Sequence, residues 1–492
     1  MAQRVVVIGG GNAAFCAALS AAQAGAKVTL LERAPFDARG GNSRFTAGAI
    51  RTVYDGVSDL RRIMPDLTDA EIDRTDFGRY EAGDFYDDLG RVTQYRCDPV
   101  LADLLVLQSF NTLLWMHEQG VRFLPLYGRQ SFEVDGKVRF WGGLTVEAWG
   151  GGPGLVDSLT DAAHRQGVDI HYSARALQLM QQHGRISGVR VQQGENSEAE
   201  VLAADAVVLA SGGFQANQAW RASYLGRDWD LARVRGSRYN TGDGIRMALD
   251  IGARARGHWS GCHAVGWDMN APEFGDLDVG DGFQKHSYPF GIMINANGVR
   301  FVDEGADFRN YTYARYGREI LAQPGQFAWQ IFDAKVSHLL RDEYRIRQVT
   351  KVEANSIDEL AGKLDNVNPD GLRRTIAEFN AAVDDSTPFD PTIKDGRSTQ
   401  GLQVPKRNWA NRIDTPPFQA FGVTCGITFT FGGLHVDDQA RVLDDSGTPI
   451  PGLYGAGELV GGLFYHNYPG GSGLMAGAVF GREAGHNAAQ PD

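Results

Sequence analysis

What this chain has little of narrows its chemistry before any motif is considered. Only four cysteines occur in 492 residues, Cys16, Cys97, Cys262 and Cys425, with no CxxC and no CxxCH among them. The spacing signatures of a zinc site, a c-type haem and a disulfide oxidoreductase are therefore missing, which leaves reduced structural thiols and no expected metal. Positive charge is also short: 48 Lys and Arg against 60 Asp and Glu give a net charge of −12. That balance excludes a broad surface for nucleic acid or an anionic membrane, so an anionic ligand must meet local cations. Long apolar runs are lacking too. The apolar N-terminus is interrupted by Gly9 to Gly11, Asn12, Gln23 and Lys27, unlike a signal peptide or a membrane span, and the expectation is a cytoplasmic protein that is not integral to a membrane. Proline is modest at 18 with no Gly-X-Y period, which excludes collagen-like and low-complexity classes.

Glycine, by contrast, is plentiful: 62 of 492 residues, close to twice the ordinary share of about 7%. With 43% hydrophobic and 22% charged residues, the chain is globular and long enough for roughly two to four domains. Its glycines must serve particular backbone positions. Residues 4 to 8 (RVVVI) read as a buried strand, 12 to 24 as an alanine-rich helix and 27 to 31 (KVTLL) as a second strand, a βαβ unit. Further on, Leu155 to Gln166 reads as helix, and Asp169 to Tyr172, Val189 to Val191 and Ala206 to Leu209 as strands. From about 260 to 425 the chain becomes aromatic-rich and irregular, with helices near 356 to 364 and 370 to 383, before glycine returns in the last 65 residues. The expected fold is α/β: a discontinuous Rossmann-like domain over 1–258 and 428–492, with an inserted α+β cap over 259–427.

Gly9-Gly10-Gly11-Asn12-Ala13-Ala14 fits GxGxxG/A where a dinucleotide site requires it, after one strand and opening a helix, with Glu32 ending the next strand. Glycine allows the tight turn and the close approach of a pyrophosphate, the helix N-terminus stabilises its charge, and Glu32 can accept ribose hydroxyls. Three later elements point to FAD: Gly40-Gly41-Asn42-Ser43, Ser211-Gly212-Gly213 and Gly455-Ala456-Gly457-Glu458, the last preceding a glycine-rich helix start at 470 to 473. Together with Thr241-Gly242-Asp243-Gly244 and GIMINANGVRFVDE (291 to 304), they resemble the fumarate reductase/succinate dehydrogenase flavoprotein superfamily across the whole chain. The runs at 303 to 317, 425 to 434 and 464 to 474 resemble its tricarballylate dehydrogenase branch.

The resemblance implies a glutathione-reductase-like FAD fold with the flavin between the FAD domain and a mobile cap. Its cofactor-binding residues would be Gly9, Gly11, Asn12, Ala13, Ala14, Glu32, Arg33, Gly40, Gly41, Asn42, Ser43, Gly48, Ala176, Ser211, Gly212, Gly213, Asp243, Gly457, Glu458, Ser472, Gly473 and Leu474. The stretch before Gly40 contains no histidine for a covalent link, so non-covalent FAD is expected. In fumarate reductases an arginine after RFxNE delivers a proton; here RFVDE (300 to 304) is followed by Arg309, one residue later. Arg309 is expected to serve as acid/base or as a carboxylate clamp, and both roles stay open.

Two carboxylate-binding side chains of that family are replaced, the histidine by Phe429 in Phe429-Thr430-Phe431 and the arginine by Tyr468 in Asn467-Tyr468-Pro469. Its relay residues are replaced by Gln284-Lys285-His286-Ser287-Tyr288. The candidate catalytic set is therefore Arg309, His466, Tyr468, His263, Thr430 and Tyr288, with His286 as a further neutral donor. Lys285 and Arg315 read as solvated, and Tyr311, Tyr313 and Tyr316 as an apolar stripe of the cap. The implied reaction is dehydrogenation or reduction of a carbon–carbon bond beside a carboxylate or carbonyl, with tricarballylate to cis-aconitate first. A ketosteroid-dehydrogenase-like enzyme or ene-reductase acting on a larger neutral substrate is the alternative, and an electron-transfer flavoprotein subunit is a third reading. Electrons would pass through a separate protein or a quinone.

Overall fold

The computed structural model describes residues 2–491. Strand Arg4–Ile8 is valine-rich and buried on both faces, as a central parallel strand must be. It lies between Ala206–Leu209 and Lys27–Leu31, both parallel to it, with Val6 opposite Val207 and Thr29. Asp169–His171 and Pro449–Gly455 extend this sheet in parallel, and Arg441–Leu443 closes one edge antiparallel. The two strands from the far end of the chain make the domain discontinuous. Helix Asn12–Gln23 is covered by the closing helix Ser472–Ala488. Their backbones nearly touch: a Cβ on Gly481 would lie 2.4 Å from the Ala13 carbonyl oxygen, and one on Gly485 2.1 Å from that of Ala17.

The cap is a second mixed sheet with its own apolar core, built from Ile292, Ile331, Leu360, Leu372, Phe379 and Phe418 among others. Its central strand, Phe418–Leu434, pairs along half its length with Phe327–Phe332 and Lys351–Ala354. It then continues as a two-stranded antiparallel ribbon with Ala255–Asp268 toward the first, parallel-sheet domain. The register breaks between His258 and Cys262 and again between His263 and Ala264. The expected domain limits, 258/259 and 427/428, fall inside these two strands. In addition Arg233–Val234, ahead of that limit, pairs with the cap strand. A ribbon shared by both bodies has no compositional edge, so the sequence could not place it.

Residues 36 to 150 hold the structure that sequence reading left unassigned. Helix Pro99–Glu118 starts on an Asp98 cap with proline at its first position. It is the one helix among the described residues long and apolar enough to cross a membrane, and half of that apolar stretch is buried inside the fold, against the closing helix. Beyond it, a strap formed by the turn Tyr127–Gln130 and the hairpin Ser131–Val134/Lys137–Phe140 reaches over to the cap. Phe132 and Trp141 enter a cap cluster with Phe290, Phe332, Tyr344 and Trp409. Arg341 of the cap lies over the Phe132 ring and donates to the Gly128 and Ser131 carbonyls.

Candidate active site

A long cavity of about 260 Å³, partly open to solvent, runs from the first βαβ unit to the junction of ribbon, strap and cap. At its first end, Gly9 sits at φ 126, where any Cβ would be 2.2 Å from the Ala210 carbonyl oxygen. A Cβ on Gly10 would be 2.3 Å from Glu32 Oε2. The helix behind them starts at Gly11, which has no side chain to cap it; the Asn12 amide donates to Ser43 Oγ at 3.0 Å, and the amides after it are left for a ligand's charge. Burial pushes the Glu32 carboxyl up to about 7, against the hydrogen bond it accepts from the Ala34 amide. Nearby, Asp243 takes both Arg33 and Arg175. Asn42 Oδ1 accepts from the Ser237 amide at 2.9 Å. Glu458, likewise pushed up to about 7 by burial, accepts from the Thr430 amide at 2.9 Å.

Of the residues expected to hold FAD, seventeen line this cavity: Gly9, Gly11, Asn12, Ala13, Glu32, Arg33, Gly41, Asn42, Ser43, Ala176, Ser211, Gly212, Asp243, Gly457, Glu458, Gly473 and Leu474. Five lie behind the wall. Ala14 is in the helix core, Gly40 faces Val156, Gly48 backs on Gly151, Gly213 makes room for Glu458 and Thr430, and the Ser472 hydroxyl is spent on the Pro469 carbonyl. The donor set fits FAD. Ser211 Oγ is buried on the lining without a partner, and the closing helix, like the first, begins on a glycine, Gly471, without a side-chain cap.

At the second end the structure brings Arg309, Tyr468, His263 and Thr430 together, but not Tyr288 or His466. Tyr288 is corrected to an interior residue whose hydroxyl bonds Thr312 Oγ1 at 2.6 Å, with its ring against Tyr316. His466 is corrected to a position behind the ribbon, its ring 4.6 Å from that of His258 and its backbone amide donating to His258 Nδ1. Thr430 reaches the cavity, but its hydroxyl faces Glu458. Lys285, expected to be solvated, is fully buried and paired with Asp268 at 3.3 Å.

Sequence reading missed several groups. Tyr313, expected in an apolar stripe, lines the cavity with its hydroxyl hydrogen-bonded to that of Tyr468. Burial raises both phenols above their ordinary range, so both are neutral. Asp281 accepts from Arg235 Nε at 3.0 Å, Arg129 Nη1 at 2.7 Å and Gln284 Nε2 at 2.6 Å. Five arginines line the cavity, and four are paired with Asp243 or Asp281. The fifth, Arg309, has no carboxylate partner among the described residues. It donates to the Arg129 carbonyl at 2.8 Å and to His286 Nδ1 at 3.1 Å, and its Nε is unpartnered. Burial lowers its pKa below the usual guanidinium value. Around these groups Phe429, Phe464, Leu126 and Leu144 form apolar walls. Spacing after RFVDE could find Arg309; no local pattern marks Arg129 or Asp281.

Residues 4–474 match the family model described as FAD binding domain. A probable fumarate reductase, Ifc3, of Shewanella frigidimarina is 30% identical over 492 residues, covering 99% of this chain and 75% of that protein. A vinyl phenol reductase of Lactiplantibacillus plantarum is 28% identical over 522 residues, with 99% and 96% covered. In fold, the chain is similar to a solved 3-ketosteroid delta1-dehydrogenase from Sterolibacterium denitrificans, at a TM-score of 0.75 and 21% identity, covering 99% of each chain.

Proposed function

The chain belongs to the FAD binding domain family, and from that premise we propose that it reduces a carbon–carbon double bond conjugated to one carbonyl or one carboxylate on an otherwise apolar substrate. It is an FAD-dependent oxidoreductase acting on CH–CH bonds; the substrate and the direction are the proposal. The observation that carries it is the charge count of the cavity, where Arg309 alone among the lining arginines makes no salt bridge, the buried Glu343 acting on it only at longer range. One guanidinium suits one anionic or carbonyl group. Tricarballylate would bring three carboxylates to that single cation, so the count favours the ene-reductase alternative over it.

The flavin, when bound, supplies the hydride. Arg309 holds the oxygen that polarises the double bond, which withdraws electrons from the β carbon. The Tyr313–Tyr468 pair stands in the same cavity as a proton donor for the α carbon: one phenol gives up its proton while the other's O–H stabilises the resulting phenolate. Phe429, Phe464 and Leu144 keep water from these groups. FAD is held without a covalent link, since Glu32 to Ser43 offers no histidine or cysteine, and electrons reach it from a separate redox partner.

The test is anaerobic. Reduced enzyme is mixed in turn with trans-cinnamate, cyclohex-2-enone, 4-androstene-3,17-dione, fumarate and cis-aconitate, and the return of oxidised flavin absorbance is followed. Reoxidation by the cinnamate or an enone, faster than by fumarate or cis-aconitate, is expected. Fastest reoxidation by cis-aconitate, or bleaching of the oxidised enzyme by tricarballylate, would overturn the reading.

A further inference from the structure

We propose that His286, as a neutral imidazole, donates a hydrogen bond from Nε2 to the substrate's carbonyl or carboxylate oxygen, beside Arg309. The argument begins with a donor that has no lone pair to offer. A guanidinium only donates, so the 3.1 Å contact between Arg309 Nη1 and His286 Nδ1 makes Nδ1 the acceptor. The one proton of the neutral ring is then on Nε2. That atom is buried, has no protein partner, and belongs to a residue on the cavity wall. Arg309 Nε is unpartnered in the same way. Each of these two hydrogen-bonded neighbours therefore keeps one N–H donor that no protein group meets.

Protonating His286 at Nδ1 would require breaking its bond to Arg309. The charged and titratable groups facing it oppose that charge as well: Arg309 from the segment that opens the cap helix, Arg235 from beside the short strand, His263 from the ribbon and Arg129 from the strap, while Tyr313 meets it as a neutral ring. Asp281, the carboxylate nearest in its own segment, is occupied by Arg129, Arg235 and Gln284. Burial, before any of these charges, holds the ring well below the ordinary histidine range. The ring therefore stays a neutral N–H donor at physiological pH, and does not switch. As the β carbon is reduced, negative charge grows on the conjugated oxygen, and a neutral N–H donor bonded to that oxygen strengthens its bond.

The inference rests on the function proposed above, and its test separates the two. Holoenzyme labelled with ¹⁵N-histidine is examined by NMR between pH 5.5 and 8; His286, assigned by its loss in His286→Phe, is expected to stay neutral and protonated at Nε2. A ring protonated at Nδ1, or one that titrates in this range, overturns the inference. Benzoate, an unreactive monocarboxylate, is then titrated against the oxidised flavin spectrum. His286→Phe is expected to bind it about tenfold more weakly and to lose about 100-fold in kcat/KM, with FAD retained and part of the loss recovered in His286→Gln, which keeps an N–H donor. Unchanged benzoate affinity in His286→Phe overturns the inference alone. A wild-type spectrum indifferent to benzoate overturns the proposed function and the inference with it.

Discussion

Arg309 owes its chemistry to the absence of a salt-bridge partner, since Glu343 acts on it only at longer range. Arg129 and Arg235, on the same wall, share Asp281 and can contribute little net charge to a ligand. Replacing Arg309 by Met should leave FAD bound and lower kcat/KM by at least 100-fold, read from steady-state turnover and flavin absorbance, because both substrate anchoring and the His286 contact are lost. Replacing Tyr468 by Phe should instead lower kcat with little change in KM, since its hydroxyl meets Tyr313 and serves the proton step. A rise in KM alone would assign Tyr468 to binding. At this scale the sequence was partly legible. Arg309 follows a recognisable segment, but nothing local separates Tyr468 on the cavity from Tyr288 in the interior, since both are aromatic residues in apolar surroundings.

Among the elements, the strap and the cap meet at Asp281. Its carboxylate ties Arg129 of the strap to Arg235 and Gln284, and the Arg129 carbonyl in turn receives Arg309 Nη2. Asp281→Asn keeps the shape and removes the charge that offsets the buried Arg235 and the half-buried Arg129 guanidiniums. It should lower kcat about tenfold and speed proteolysis within residues 126–141, followed by mass spectrometry, while the flavin stays bound. Unchanged proteolysis would mean that Phe132 and Trp141 hold the strap unaided. Lys285 and Asp268, both fully buried, make a second tie inside the cap, to which Thr350 adds its hydroxyl. Lys285→Ala leaves a buried carboxylate without its cation and should cost about 3–5 kcal/mol in chemical unfolding. The helices and parallel strands of the FAD-side domain could be read from periodicity because each buries a continuous apolar face. The strap could not, since its apolar residues bury against a sheet some 200 residues further along the chain.

For the molecule as a whole, folding buries three carboxyls, two of which, Glu32 and Glu458, line the cavity. Burial raises Glu32, Glu147 and Glu458 to about 7 each, above their unfolded values, so the folded flavin-free protein binds protons that the unfolded chain releases. That contribution is full below about pH 4.5 and is lost as pH rises through 7. The melting temperature of flavin-free protein should therefore fall by several degrees between pH 5 and pH 7.5 in scanning calorimetry. Glu458→Gln should flatten part of that slope, and a midpoint that rises with pH over this window would contradict the burial of these groups.

The sequence by itself determined the dinucleotide end. There the turn at Gly9, the helix start at Gly11 and the acidic residue at Glu32 lie within 24 residues, and their spacing is fixed by the local geometry of one βαβ unit. Only the tertiary structure decided the reacting end. Its residues come from the strap, the ribbon, the start of the cap helix and the segment before the closing helix, so the register of Ala255–Asp268 on Phe418–Leu434 and the docking of the strap choose which side chains meet. A charge such as Arg309 or Asp281 takes its meaning from neighbours that chain spacing does not specify, because pairing and burial are set across the interface of two packed bodies.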